Sequence, residues 1–213
     1  MTFDTFLFDL DGTLVDSVAD LATSINQLRD ELSLGPLDLD TISGHIGDGA
    51  TMLVKRSLPE GAFSPQHLQR FLNLYRNRLT DQTRVYPGID EFLIQHQLDK
   101  MAVITNKPFD LTLALLNELG LIAFFQTLVC GDSGLPKKPD PAPVLQALRE
   151  LQADPKRTVM IGDHHTDLLA GRAAGVKTCF CAFGFGNDGG VESDFRAETP
   201  EDLLRLFPAE NRW

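Results

Sequence analysis

Five short apolar runs, separated by stretches with helical patterning, constrain the fold of this 213-residue chain more than any other feature. Near-continuous apolar runs are typical of strands that are covered on both faces, as in parallel sheets flanked by helices. Because helical patterns lie between most of the runs, we expect right-handed crossovers and a doubly wound parallel α/β sheet, a Rossmann-like core. The predicted strands are residues 5–10, 100–105, 126–130, 157–162 and 176–181.

The segment between the first two runs is too long for a single crossover and has helical patterns of its own. One apolar stripe follows a candidate capping box, Ser17-x-x-Asp20, and a second stripe follows Ser64-Pro65. We therefore predict a small inserted helical domain, joined to the core by hinges near residues 14–17 and 80–87. The predicted domains are residues 16–83 for the insertion and residues 1–15 with 84–213 for the core.

Composition and charge bear on the partners and the compartment. The net charge of -11 argues against nucleic acid, because basic patches supply most of the affinity for it. No run reaches the ~18 apolar residues of a membrane-spanning helix, and the first residues lack the pattern of a signal peptide. We expect a cytoplasmic protein without a membrane partner, in which three cysteines stay reduced as buried residues rather than metal ligands. They are Cys130, Cys179 and Cys181. Both a monomer and a homodimer fit the sequence.

Two carboxylates follow the first apolar run, in the sequence Asp9-Leu10-Asp11-Gly12-Thr13. Side chains alternate along an extended backbone, so Asp9 and Asp11 are expected to point the same way. A carboxylate can attack phosphorus, a second one can transfer protons, and both can help to hold a hard cation. The junction therefore predicts an acid-based site at the end of the first strand.

Polar residues also follow the later apolar runs. Thr105-Asn106 precedes a predicted helix and suits a phosphate cradle, although such pairs are also typical of turns. Lys138 precedes a proline and can neutralise a phosphoryl group. It follows Lys137, and a pair of lysines is also typical of a solvated loop. Asp163 can bind a hard cation, and Asp167 lies one helical turn further on. We expect these groups to share one crevice, because parallel strands end at the same edge of a sheet.

Together these motifs resemble those of the haloacid dehalogenase superfamily of phosphohydrolases. The sequences D-x-D-G-T at residues 9–13, T-N at 105–106, Lys138 before a proline and G-D-x-x-x-D at 162–167 occur in the superfamily's order. The inserted helices resemble its α-helical cap, so the resemblance covers essentially the whole chain. Asp11 is similar to the second acid of the phosphatase branches, which implies an enzyme that acts on phosphate esters.

The resemblance implies a role for each of these residues. Asp9 would attack phosphorus and form an aspartyl-phosphate, and Asp11 would protonate the leaving alkoxide and later deprotonate a water. A Mg²⁺ cofactor would be held by Asp9, by the backbone carbonyl of Asp11 and by Asp163. Asp167 would orient Lys138 or a metal-bound water. The implied phosphate-binding residues are Gly12, Thr105, Asn106 and Lys138.

The insertion carries the features that bear on the substrate. Its glycine-containing segment around Gly47 and Gly49 resembles the cap loop of bacterial phosphoglycolate phosphatases, which implies 2-phosphoglycolate as the substrate. Sugar and amino-sugar phosphates, nucleotides and pyrophosphate are the alternatives, and a sugar phosphomutase is a further one. The carboxylate of 2-phosphoglycolate calls for a cation in the cap, for which His45, Lys55 and Arg56 are candidates unless they lie on solvated faces.

Two adjacent histidines depart from the family pattern. His164 stands where serine or threonine is usual in related branches, and His165 follows it. Adjacent side chains point in different directions, and a third soft ligand is not evident in the sequence. We therefore expect hydrogen-bonding or capping roles for both histidines, with transition-metal binding as the alternative.

Overall fold

The computed structural model describes residues 2–209 and has the α/β architecture that the apolar runs predict. The strands are β1 (Thr5–Phe8), β2 (Val15–Asp16), β3 (Arg84–Val85), β4 (Lys100–Ile104), β5 (Thr127–Val129), β6 (Thr158–Gly162), β7 (Lys177–Cys181) and β8 (Phe195–Ala197). The helices are α1 (Val18–Glu31), α2 (Leu39–Ser43), α3 (Ala50–Arg56), α4 (Pro65–Arg76), α5 (Ile89–Gln95), α6 (Phe109–Glu118), α7 (Ala142–Leu151), α8 (His165–Ala174) and α9 (Asp202–Leu206).

Six strands form one parallel sheet in the order β5-β4-β1-β6-β7-β8. The first strand lies between β4 and β6, so the strand order reverses beside it. A crevice opens at such a switch point, outside the carboxyl ends of the strands. All five predicted strands are confirmed, each slightly shorter than its apolar run, and the doubly wound sheet is confirmed with them.

The alternating side chains of β1 divide the core into two layers. Phe6 and Phe8 pack into the layer that also holds Phe92, while Leu7 faces the opposite layer with Ile104. All five side chains are fully buried. Burial of such a side chain contributes roughly 2 kcal/mol, so this strand is firmly held beneath the residues that follow it.

Helices α1 to α4 lie between β2 and β3, which pair with each other in an antiparallel ribbon. In this ribbon, the strand that leads into the helical insertion, β2, pairs with the strand that leads out of it, β3. Its pairs are Val15 with Val85 and Asp16 with Arg84, close to the boundaries predicted for the inserted domain. The division into two domains stays a prediction, which the pairing of these two links supports.

The predicted capping box at the start of α1 is wrong. Ser17 occupies the N-cap position, but within the described chain its side chain makes no capping bond and donates to Asp11 Oδ1 instead, at 2.6 Å. The buried Asp20 carboxylate accepts the N–H groups of Gln82 and Thr83 at 2.9 and 2.8 Å. Asp20 thus ties the returning link to α1, and residues 82–83 are a poor place for the hinge that we predicted within 80–87.

Two further sequence predictions concern the cysteines and membrane-spanning helices. The three cysteines are free and buried, as expected. Among residues 2–209, no helix combines the length and the apolar character that crossing a membrane requires.

Candidate active site

The carboxyl ends of three neighbouring strands bring the predicted site residues together. Asp9 follows β1, Thr105 follows β4 and Asp163 follows β6 directly. All three are buried, and Lys138 reaches the same place from the loop before α7. Four segments that are far apart in sequence therefore meet at the switch point of the sheet.

Lys138 is the positive centre of this cluster. Its Nζ lies 2.9 Å from Asp9 Oδ1 and donates to Asp167 Oδ1 at 2.6 Å and to the carbonyl of Ile104 at 2.5 Å. Its side chain is only 1% exposed. Burial by itself would lower the pKa of Lys138, but Asp167 and Asp9 raise it above its ordinary value. Lys138 therefore stays an ammonium group, held against Asp9 by Asp167.

Three buried carboxylates surround this ammonium group. Oxygens of Asp9, Asp163 and Asp167 lie within 4.8 Å of one another. Burial raises the pKa of Asp9 to about 6, although Lys138 opposes the shift. Burial, together with Asp9 and Asp167, raises the pKa of Asp163 well above its ordinary value. The cluster thus holds more negative charge than Lys138 balances.

This charge imbalance fits a divalent cation. Three carboxylates and one ammonium leave two uncompensated negative charges in a buried place, which is unfavourable without a further cation. Asp167 is bound to the Lys138 ammonium at 2.6 Å, whereas the hydrogen bonds of Asp163 come from neutral donors, the Thr13 hydroxyl and the N–H of Gly186, so Asp9 and Asp163 are the better ligands. Within the described residues, Asp9 Oδ1 is buried without a hydrogen bond, and its contact with Lys138 is an ion pair. Hard carboxylate oxygens are what Mg²⁺ prefers.

Without a divalent cation, acidification is expected to stabilise the wild-type protein relative to an Asp9→Asn variant. The pKa of Asp9 is about 6 in the folded protein, whereas its ordinary value is 3.8. Protonation of Asp9 therefore stabilises the folded protein fully below pH 3.8, and this stabilisation is lost as the pH rises through about 6. When the pH falls from about 7.5 to about 4, we expect the free energy of unfolding of the wild type to rise by about 2 kcal/mol relative to that of the variant.

Urea unfolding of both proteins in EDTA at several pH values measures this difference. Titrating groups that do not sense the charge of Asp9 are common to both proteins and cancel, whereas Asp163 and His164, whose pKa values the Asp9 charge raises, titrate differently in the variant. Saturating Mg²⁺ is expected to reverse the order at pH 7.5, because the ion stabilises only a site with both ligands. Parallel pH profiles of the two proteins in EDTA contradict the prediction.

Gly12 lets the loop after β1 pack onto Asp163. Its φ is +86°, and a Cβ there would lie 2.0 Å from Asp163 Oδ2. Its N–H donates to the carbonyl of Val15 at 2.8 Å and is therefore engaged in this structure. The phosphate-binding role of Gly12 stays a prediction. Gly12 serves close packing around Asp163, whose Oδ2 also accepts the N–H of Gly186.

The side chain of Asn106 has partners within the protein, and its phosphate-binding role stays a prediction. Its amide donates to the carbonyls of Gly47 and Lys138, and its Oδ1 accepts the N–H of Lys138. The side chain therefore braces the Lys138 loop against the inserted helices. The hydroxyl oxygen of Thr105 accepts the N–H of Lys107 at 3.2 Å, which leaves its own proton for a ligand.

Asp11 is held apart from the three-carboxylate cluster. Besides Ser17, it contacts Lys107, whose Nζ lies 2.8 and 3.0 Å from its two oxygens. Lys107 also donates to the hydroxyl of Tyr75 at 2.8 Å, and its Nζ lies 4.5 Å from the centre of that ring. Any contribution of Asp11 to a cation site is left to its backbone carbonyl.

Lys107 is the site residue that sequence reasoning missed. It directly follows the predicted pair Thr105-Asn106, but no role was predicted for it. A signal was present, because Lys107 precedes a proline just as Lys138 does. Burial would lower the pKa of Lys107, but Asp11 and Tyr75 raise it above its ordinary value. Burial raises the pKa of Tyr75 to about 12, so its hydroxyl stays protonated.

A cavity opens beside these groups, between the core and the inserted helices. Asp9, Asp11 and Lys107 line it on the core side. The insertion contributes Tyr75 and an otherwise apolar wall that includes Leu21, Ile46, Leu53 and Phe71. The three cations predicted from the insertion do not line it: His45 contacts Ser57, Lys55 is exposed and Arg56 pairs with Asp48. The cavity's cation comes from the core instead.

His164 takes a local role, whereas the buried Nδ1 of His165 has no hydrogen-bond partner within the described residues. The N–H of His164 donates to Asp167 Oδ2 at 3.1 Å, and its ring contacts Thr166 and packs against Gly47, where a Cβ would lie 2.9 Å from Nε2. Burial and the neighbouring His165 lower the pKa of His164 to about 4, so the ring is neutral. Neither histidine belongs to the acidic cluster found within the described residues.

Comparison with known proteins places the chain among phosphatases of similar length. The family of haloacid dehalogenase-like hydrolases matches residues 6–181. Phosphoglycolate phosphatase of Chromobacterium violaceum is 35% identical over 209 residues, covering 94% of either chain. The enzyme of the same name from Agrobacterium fabrum is 36% identical over 216 residues, covering 94% of this chain and 92% of its own. The crystal structure of a predicted phosphoglycolate phosphatase from Haemophilus somnus matches with a TM-score of 0.87 and 27% identity, over 97% of this chain and 98% of that one.

Proposed function

Because the chain belongs to the haloacid dehalogenase-like hydrolases, we propose that it hydrolyses 2-phosphoglycolate to glycolate and phosphate with Mg²⁺ and an aspartyl-phosphate intermediate. Its class is phosphoric monoester hydrolase. The observation that carries the proposal is the contact of Lys138 with Asp9, held in place by Asp167.

In the first half-reaction, Asp9 is the nucleophile. Its carboxylate oxygen forms a bond to phosphorus while the bond from phosphorus to the ester oxygen breaks. Lys138 stays beside Asp9 and offsets the negative charge of the phosphoryl oxygens, and the Thr105 hydroxyl donates to one of them. Asp11 gives a proton to the leaving alkoxide, which departs as the alcohol.

In the second half-reaction, water attacks the phosphorus of the aspartyl-phosphate. Asp11 takes a proton from this water, the bond between Asp9 and phosphorus breaks, and phosphate leaves. Asp9, Asp163 and the Asp11 carbonyl would hold Mg²⁺, which would neutralise charge on the phosphoryl group when bound. The inserted helices, residues 16–83, act as a cap that limits water access during the first half-reaction.

The apolar wall of the cavity favours a small leaving group with few hydroxyls. This insertion-side wall is mainly apolar, with Leu21, Ile46 and Leu53 among its residues. A wall of this kind offers few partners for the several hydroxyls of a sugar, and buried hydroxyls without partners are unfavourable. The relatives named above bear the name phosphoglycolate phosphatase, which agrees with a two-carbon acid.

A substrate panel tests the proposal. Phosphate release would be measured with Mg²⁺ for 2-phosphoglycolate, hexose phosphates, amino-sugar phosphates, nucleotides and pyrophosphate. We expect kcat/KM for 2-phosphoglycolate to exceed the others by about 100-fold, or about 2.7 kcal/mol of transition-state discrimination. A sugar-directed or flat profile refutes the substrate assignment, and conversion of a sugar phosphate without phosphate release indicates a phosphomutase.

A further inference from the structure

We propose that Lys107 and the hydroxyl of Tyr75 form a subsite for a carboxylate on the leaving group of the substrate. The inference rests on the proposed function and specifies how the substrate is recognised. The subsite joins two parts of the fold, because Lys107 follows β4 in the core and Tyr75 belongs to α4 in the insertion.

The charge of Lys107 is the first support for this subsite. Of the described residues that line the cavity, it is the one with a cationic side chain. The side chain is only 5% exposed, so an anion that reaches it is held in a site from which water is largely excluded. Ion pairing is stronger there than at a solvated surface.

An unused donor is the second support. The Tyr75 hydroxyl accepts a hydrogen bond from Lys107, so its own proton points elsewhere. Among residues 2–209 no acceptor for that proton is found, although Tyr75 is only 1% exposed. A buried hydroxyl proton without an acceptor is unfavourable, and a carboxylate oxygen in the cavity satisfies it.

The position relative to Asp11 is the third support. Lys107 Nζ lies within 3.0 Å of both Asp11 oxygens, and Asp11 is the proposed proton donor to the ester oxygen. In 2-phosphoglycolate a single methylene separates the ester oxygen from the carboxylate carbon. An ester oxygen beside Asp11 therefore places the carboxylate near Lys107 and Tyr75. The substrate carboxylate would replace one of the two contacts between Lys107 and Asp11.

Tyr75→Phe isolates the subsite, because the phenylalanine keeps the ring packing against Phe71, where the centroids are 6.0 Å apart. Two esters are compared: 2-phosphoglycolate, and 2-hydroxyethyl phosphate, which has the same length without the carboxylate. The substitution lowers kcat/KM for both esters by some factor, and we expect this factor to be at least about 10 times larger for 2-phosphoglycolate than for 2-hydroxyethyl phosphate.

Tyr86→Phe is the matched control. Tyr86 is the other tyrosine of the chain, packs against Phe183 at 5.1 Å between centroids, and is absent from the described lining of the cavity. Its substitution is expected to change kcat/KM for the two esters by the same factor. Thermal unfolding of each variant verifies that it is folded.

The outcomes separate the two proposals. If the wild type prefers 2-phosphoglycolate and Tyr75→Phe loses activity equally on both esters, the subsite is refuted and the proposed function stands. If the wild type hydrolyses 2-hydroxyethyl phosphate with the same kcat/KM as 2-phosphoglycolate, the subsite is refuted and only the phosphatase activity stands. If the wild type releases phosphate from neither ester, the proposed function fails and the subsite falls with it.

Discussion

An Asp9→Asn variant is expected to lose phosphatase activity by about 10⁴-fold or more, because an amide lacks the nucleophilic carboxylate oxygen that forms the acyl phosphate. The change is nearly isosteric, and Asp9 Oδ1 makes no hydrogen bond within the described residues. The fold should therefore survive. Burial already raises the pKa of Asp9, so an uncharged group is well tolerated at this position in the metal-free protein.

Phosphate release under single-turnover and steady-state conditions measures this loss. Asp90→Asn is the matched control, since Asp90 is exposed in the first turn of α5, and its activity should equal that of the wild type. Mass spectrometry of acid-quenched wild-type enzyme should show a phosphate adduct that the Asp9→Asn variant lacks. Wild-type-like turnover by a purified Asp9→Asn variant refutes the mechanism.

A Lys138→Met variant is expected to lose about 10³-fold in kcat/KM, because the ammonium group beside Asp9 no longer offsets the negative charge of the phosphoryl oxygens. The same change leaves Asp9, Asp163 and Asp167 without their shared ammonium group. Removal of one partner from a buried ion pair typically destabilises a protein by about 3–5 kcal/mol. A loss of activity by itself therefore does not separate a catalytic effect from unfolding.

A double variant makes that separation. Lys138→Met combined with Asp167→Asn removes one charge of each sign, so much of the lost stability should return while activity stays low. Lys137→Met is the matched single control, because this neighbouring lysine is half-buried and contacts none of the three acids in the described ion pairs. Its activity should lie within about 3-fold of the wild type. Recovery of activity together with stability in the double variant contradicts the role of Lys138.

Short-range patterns determined most of the fold. Near-continuous apolar runs favour burial because contact with water is unfavourable for every side chain in them. All five predicted strands were found. The three-residue strand β8 is too short to show a period, and the two-residue β2 and β3 depend on each other's backbone. These elements form because a neighbour offers hydrogen bonds, which a local pattern does not contain.

Polar side chains were harder to interpret than apolar ones. Ser17 and Asp20 have the spacing of a capping box, yet they bind Asp11 and the link at residues 82–83. A carboxylate or hydroxyl accepts many partners at similar free energy, so the choice depends on which groups the fold brings near. His45, Lys55 and Arg56 were candidates for a cation at the cavity unless they lay on solvated faces, and none of the three lines it. The sequence does not show which way these side chains point.

The sequence by itself determined that Asp9, Thr105, Lys138 and Asp163 meet, because the carboxyl ends of parallel strands necessarily share one edge of the sheet. Only the tertiary structure decided that Lys107 lies between Asp11 and Tyr75, which are 96 and 32 residues away along the chain. That contact depends on how the inserted helices sit on the core. The placement of one packed unit on another follows from the sum of many weak contacts, and no single motif carries it.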